Sequence, residues 1–538
     1  MLRSLISRLH STIMAILRLA LPPIPSSRGS LRTRLAEIND EVDALQSKLR
    51  LLSAERRRVL QHLDAIVYPV LTLPPEITTE IFSHYVDNPH MGLARNPGSG
   101  PLVLASVCRS WRDLCLSLKF LWASLRIYLH HDRSWAWGIP NQSSSLRSYL
   151  QRAGNHVLDL QLFLPNSTST RPDLTRNADP MMSTLCEHSS RWRSFSVWGN
   201  QWLPSIQVQG NLASLEKLAV QACSPDSRWI TQFQEAPRLL EVELHGVTRQ
   251  WISLPWIQLT HLTFASASVS NLFEVIHSTP NPEVLVVFML RYDHWDPPQI
   301  NDATLHHLHT LKLDHVDGVL HLHHRDDAVI FDHLTLPALK NIHLTTWSDD
   351  DILRFHRLST RSSFSLQSIR LVEMTPKAAT ACLRSLSSVQ EVEILPRLGS
   401  SNQALKLDVL IDLFRTDPEF VPSLRRLTLR EWRTPVSPSL LAEIFAARWS
   451  QDESELATKK LVSFRLFFAP SVMSVDLLEE LRDQLRPWSD AGLEIVIDPA
   501  TNSSSVPFCS GTSIYDFSSA WNIELRAATD LHGKSNSS

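Results

Sequence analysis

LEKLAV, residues 215 to 220, places Leu215, Leu218 and Val220 in the order apolar-x-x-apolar-x-apolar. On a strand the last two point to one face and the residues between them to the other. The pattern recurs in LLEVEL (Leu239, Val242, Leu244), LTHLTF (Leu259, Leu262, Phe264), PEVLVV (Leu285, Val287) and LHTLKL (Leu308, Leu311, Leu313). It continues in LKNIHL, LQSIRL, VQEVEI, LRRLTL and LVSFRL, where it ends on Phe464 and Leu466. Successive copies lie about 20 to 37 residues apart, room for one strand and one returning helix or irregular arm. SPSLLAEIFAARW, Ser437 to Trp449, is one such helix-length connection. Parallel strands stacked at about 4.8 Å would share one continuous core.

This array resembles leucine-rich repeats of an irregular kind. The Asn that follows the third apolar position in that family is absent from every copy, so its side-chain ladder is not expected. Burying each leucine contributes roughly 1.5 to 3 kcal/mol, which makes these residues core. Function then belongs to the side chains between them. Alternation sends Glu241, Glu243, Lys312, His343, Arg370, Glu391, Glu393, Arg426 and Arg465 to the other face, a surface of both signs suited to a protein target.

Bulk properties agree with a protein-binding role. At 538 residues the chain exceeds what one compact core supports, and a net charge of −3 gives no attraction to phosphate backbones, so nucleic acid is not an expected partner. Six cysteines lie scattered with no CxxC pair, which fits a reducing compartment, cytoplasmic or nuclear. Residues 1 to 21 carry Arg3, Arg8 and Arg18 and no acid, a composition shared by transit peptides and membrane-surface helices. Arg18 breaks the apolar run, so no spanning helix is expected there. A terminal helix that is frayed or covered by a partner is the plainer alternative.

From Leu31 the apolar residues fall at Leu35, Ile38, Val42, Leu45, Leu49, Leu52, Val59, Leu63 and Ile66, interrupted only by Arg56. This seven-residue repeat suits a coiled coil, with Arg34, Glu41, Lys48 and Glu55 flanking the seam. A homodimer through residues 31 to 66 and a single amphipathic helix folded back on its own chain are both open. Pro69 stops the helix in either case.

Two further amphipathic segments precede the repeats. In LPPEITTEIFSHYV, Leu73 to Val86, Pro74 and Pro75 pre-set a first helical turn, Glu76 favours the helix N-terminus, and Ile77, Ile81, Phe82 and Tyr85 share a face. In LASVCRSWRDLCLSLKFLW, Leu104, Val107, Cys108, Trp111 and Cys115 form the stripe of one helix, followed by Phe120, Leu121 and Trp122. A unit of about fifty residues cannot bury all these faces alone, so a partner is expected to cover them.

These residues resemble the F-box family. Leu73, Pro74 and Glu76 match its opening, Ile81 and Phe82 its first helix, Val107, Cys108, Arg109, Trp111 and Arg112 its VCRxWR helix, and Leu121 and Trp122 its closing Leu-Trp. The match covers roughly fifty residues. With the heptad helix before it and the repeats after it, the chain resembles F-box proteins of mushroom-type fungi. HYVDNPHMGLARNPGSGP makes the gap between the two helices longer than is usual in the family. The resemblance implies a target receptor: the F-box grips a small Skp-type adaptor, the adaptor docks on a cullin scaffold, and the repeats hold a protein for ubiquitin transfer. The residues it implies at the adaptor are Leu73, Pro74, Pro75, Glu76, Ile77, Ile81, Phe82, Val107, Cys108, Arg109, Trp111, Leu114 and Trp122. The chain itself would perform no covalent chemistry. The alternative is a coiled-coil and repeat scaffold with no ubiquitin transfer.

Cofactor chemistry is not expected. GxGxxG, Walker, GxSxG and HExxH patterns are all absent from the sequence. The histidine-rich run from His306 to Asp327 is the best candidate for a metal, and two repeats with His at exposed positions explain it more simply. The expected class is α/β, laid out as a basic segment (1–30), a heptad helix (31–68), the F-box (69–126), a linker (127–156), a leucine-rich-repeat solenoid (157–500) and a tail (501–538).

Overall fold

The computed structural model describes residues 27–64, 73–86, 100–128, 142–163, 180–198, 206–208, 212–221, 229–265, 268–288, 300–314, 329–345, 349–374, 376–395, 412–414, 416–417, 419–432, 438–449, 461–468 and 475–499. The basic segment 1–21, Ile66, Pro69, the insertion after Val86, most of the run His306 to Asp327 and the tail 501–538 lie outside the described residues. The fold is α/β. It divides into two compact units, Met1–Thr78 and Thr79–Ser538, the boundary falling inside one helix.

In the first unit, helix α1 (Arg28–Asp64) is 37 residues long. Ser27 caps it: its Oγ accepts from the Ser30 amide at 3.3 Å, meeting one of the donors a helix start leaves open. The heptad apolar residues from Leu31 to Val59 are all exposed. Helix α2 (Pro75–Val86) opens with Pro75 in its first turn, and the Thr78 amide donates to the Pro74 carbonyl at 3.1 Å.

The second unit is built on one sheet of fourteen strands, from Ser124–Tyr128 to Glu494–Pro499, ordered as they occur in the sequence. Every neighbouring pair is parallel. All ten expected strands are present. Leu218, Val242, Leu262, Leu285 and Leu311 occupy successive rungs on the core side. Ile342, Ile369, Val392, Leu427 and Phe464 continue the row. One continuous apolar cluster runs from Phe82 to Ile497.

Two expectations need correction. The sheet begins at Ser124, inside the segment assigned to the helical unit, and a helix, Gln142–Ala153, occupies the expected linker. That helix ends at Gly154, whose φ of 57° is the left-handed turn that closes a helix and that glycine adopts most easily. The strands Leu158–Phe163 and Trp192–Trp198 also precede the first repeat read from sequence. Trp122, Leu125 and Ile127 keep the repeat spacing, as do Trp192, Phe195 and Val197, with tryptophan standing where most later copies have leucine.

Without an Asn ladder, long side chains satisfy the turn carbonyls. Arg448 donates to the carbonyls of Phe414, Asp417 and Phe420 at 3.0, 2.9 and 2.9 Å. Arg361 donates to those of Phe331 and Leu334, and Gln258 Nε2 to those of Ala236 and Leu239 at 2.8 Å. Buried carbonyls without a donor would each cost about 1 to 3 kcal/mol.

Candidate protein-binding surfaces

The expected single helix around Leu104 to Cys115 is broken. Helix α3 (Pro101–Val107) ends and α4 (Arg109–Ser117) begins at Cys108, whose extended backbone (φ −154°, ψ 174°) interrupts the helical path. The Cys108 Sγ accepts from the Trp111 amide at 3.4 Å, so this residue caps α4 rather than standing in a stripe. The Arg112 Nε donates to the Ala105 carbonyl at 2.8 Å and ties the two helices across the break.

Among the expected adaptor contacts, two are withdrawn. Phe82 and Trp122 are fully buried. The Phe82 ring meets Trp111 edge-on, and Trp122 packs on Tyr149 with its centroid 4.8 Å away, under the Arg152 guanidinium. The Trp122 Nε1 donates to the Cys115 carbonyl at 2.9 Å, which satisfies its one polar atom inside the core. Its place at the first apolar position of the earliest strand unit explains this burial. Trp111 and Leu114 are half-buried against the same core, and Cys108 is half-buried at its cap.

The others face outward. Leu73, Ile77, Ile81 and Val107 are 37, 51, 43 and 56% exposed, and Pro74, Pro75, Glu76 and Arg109 are exposed as well. Ile77 and Ile81, one helical turn apart, share the open side of α2. Leu102 and Leu116 are also exposed, and the stripe pattern did not single them out because α3 and α4 do not form one helix.

On the outward face of the sheet, the nine expected residues fall into two groups. Lys312, His343, Arg370 and Glu393 stand on four consecutive strands at one level. Glu393 lies 3.8 Å from Arg370 and 2.5 Å from Arg430. Glu391 pairs with Arg426 across the next rung, and Arg465 with Glu494 at 2.7 Å. The second group lies several strands away. Glu241 pairs with Lys217 at 2.6 Å, and Glu243 with His245 at 2.6 Å. Most of these charges are joined in cross-strand pairs.

His343 departs from the rest. Although it stands on the outward face it is buried, and its Nε2 has no hydrogen-bond partner among the described residues, as is also true of the Arg370 Nε. Burial, then the charges of Arg370 and Lys312, push the imidazole well below its ordinary value, so it is neutral at pH 7. Arg430 was not foreseen, although one further step of the alternation Arg426, Thr428, Arg430 reaches it. Its guanidinium lies over the Phe467 ring at 4.9 Å.

Among the described residues no group of His, Cys, Asp and Glu could hold a metal ion, and no helix is long and apolar enough to cross a membrane. His309, inside the histidine-rich run, hydrogen-bonds Thr310 at 3.0 Å and lies 3.7 Å from Glu283. No protein-family model matches the chain, and no curated protein matches it significantly.

Proposed function

We propose that this chain is the target-recognition subunit of an SCF-type cullin ubiquitin ligase in the cytoplasm or nucleus. On this reading α2, α3 and α4 form an F-box held by a Skp-type adaptor, which links the chain to a cullin. The parallel sheet and its connections form an irregular leucine-rich-repeat solenoid, whose outward charged face holds a protein target. The observation that carries the proposal is the exposure of Ile77 and Ile81 on α2 and of Val107 on α3, while Phe82 and Leu104 on the same helices are buried. Large aliphatic side chains left in water on short helices are what an incoming subunit would cover.

The test is coexpression with a Skp-type adaptor. Tagged wild-type chain should retain the adaptor through purification, and Ile77→Glu with Ile81→Glu should lose it. Lys312→Glu with Arg370→Glu should keep the adaptor and lose only the target. A wild-type chain that retains no adaptor ends this reading.

A further inference from the structure

Helix α1 presents an unpaired apolar seam, and its charges state which partner fits. In heptad terms Leu35, Val42, Leu49 and Arg56 stand at the a positions, and Leu31, Ile38, Leu45, Leu52 and Val59 at the d positions. Every one of these apolar side chains is at least 40% exposed. The position before each a residue carries Arg34, Glu41, Lys48 and Glu55, alternating in sign along one edge of the seam. Arg34 has a neighbour of its own in Glu37, at 2.8 Å, whereas Glu41, Lys48 and Glu55 form no ion pair among the described residues.

We infer that α1 pairs with α1 of a second copy of this chain in an antiparallel coiled coil overlapping over residues 31 to 56. In that arrangement the edges carrying these charges face each other. Glu41 meets the partner's Lys48, and Arg34 meets the partner's Glu55. Each pair occurs twice by symmetry, and every contact along the edge is between opposite signs. The apolar layers are Val42 on the partner's Leu45, Ile38 on the partner's Leu49, and Leu35 on the partner's Leu52. Arg56 falls beside the partner's Leu31 at each end of the overlap, where its aliphatic stem covers the leucine and its guanidinium reaches water.

The competing arrangements lose on the same residues. Parallel pairing sets the two Arg56 side chains against each other in the seam. It also turns Glu41 toward Gln46 and Lys48 toward Ser53, so no edge charge gains an opposite partner. Leu35 at a with Ile38 at d is moreover an order that steers parallel helices away from two strands. Sliding the antiparallel helices by one heptad sets Lys48 against Lys48 and Glu41 against Glu55. Sliding them by two restores opposite signs but drives Arg56 onto the partner's Leu45 in the middle of the seam, where its charge would be desolvated.

Sedimentation equilibrium on the full chain tests this independently of adaptor binding. The wild type should have twice the chain mass, and Leu45→Glu should be monomeric while still retaining the adaptor. Glu41→Lys and Lys48→Glu should each raise the dissociation constant about tenfold, because both symmetric pairs turn repulsive. The double variant Glu41→Lys/Lys48→Glu should return to the wild-type value. A monomeric wild type, or a mass of three or four chains, overturns the dimer. Single charge reversals without effect overturn the antiparallel orientation, and a double variant that fails to recover overturns the register.

Discussion

The rings of Phe82 and Trp111 meet edge to face, centroids 5.0 Å apart and planes inclined by 70°. This contact locks α2 onto α4 and removes the Phe82 ring from solvent. Burial of Phe82 thereby decides which side of α2 remains open.

Phe82→Ala should therefore act on folding. Loss of a buried aromatic costs about 3 to 5 kcal/mol, a large part of a domain's stability. Ile81→Ala, one residue earlier on the exposed side, should change stability by less than about 0.5 kcal/mol and still weaken adaptor retention. Urea unfolding of both variants, paired with adaptor copurification, separates the two effects. Equal losses of stability would place Ile81 in the core.

The four described cysteines should react unequally. Burial pushes the Cys115 and Cys186 thiols up to about 11 and Cys382 up to about 12, while Cys108 is half-buried at its helix cap. Thiolate is scarce at the first three at pH 8. Brief iodoacetamide treatment of the native chain, read by peptide mass spectrometry, should modify Cys108 first among these four. Early labelling of Cys382 would contradict its burial.

Arg448 should be replaceable by nothing shorter or rounder. Its planar fork serves three carbonyls from one turn, a geometry the lysine ammonium does not reproduce. Arg448→Met should cost about 3 kcal/mol or more by leaving buried acceptors without donors, and Arg448→Lys should recover little of it. The midpoint of urea unfolding reads both changes. Full recovery by lysine would mean that charge alone matters there.

His343 should make the chain acid-sensitive. Its folded-state value lies well below the ordinary 6.5, so the unfolded chain takes up a proton at His343 before the folded chain does. Stability contributed by the neutral ring is complete above about pH 6.5 and declines as pH falls from there toward the folded-state value. His343→Leu removes that dependence. The difference in unfolding free energy between wild type and variant, followed from pH 7.5 to 5, should shift against the wild type on acidification. A constant difference would show that His343 titrates normally.

Alternation of apolar residues determined ten of the fourteen strands and the face each side chain takes, because a pleated backbone leaves a period of two no other freedom. Heptad spacing likewise determined α1, and Pro74 and Pro75 the start of α2. What the sequence left open was how far each apolar group is covered. Ile81 and Phe82 are neighbours of similar hydrophobicity, yet one is exposed and the other sealed under Trp111, a contact made across about thirty residues of chain. Trp122 fits both a closing motif and the first core position of a strand unit, and pairing of Ser124–Tyr128 with Leu158–Phe163 selected the second. The break at Cys108 and the buried, neutral His343 have the same origin. Burial, and the charge state that follows from it, are set by neighbours distant in the chain, and only the assembled sheet and its packed helices bring those neighbours together.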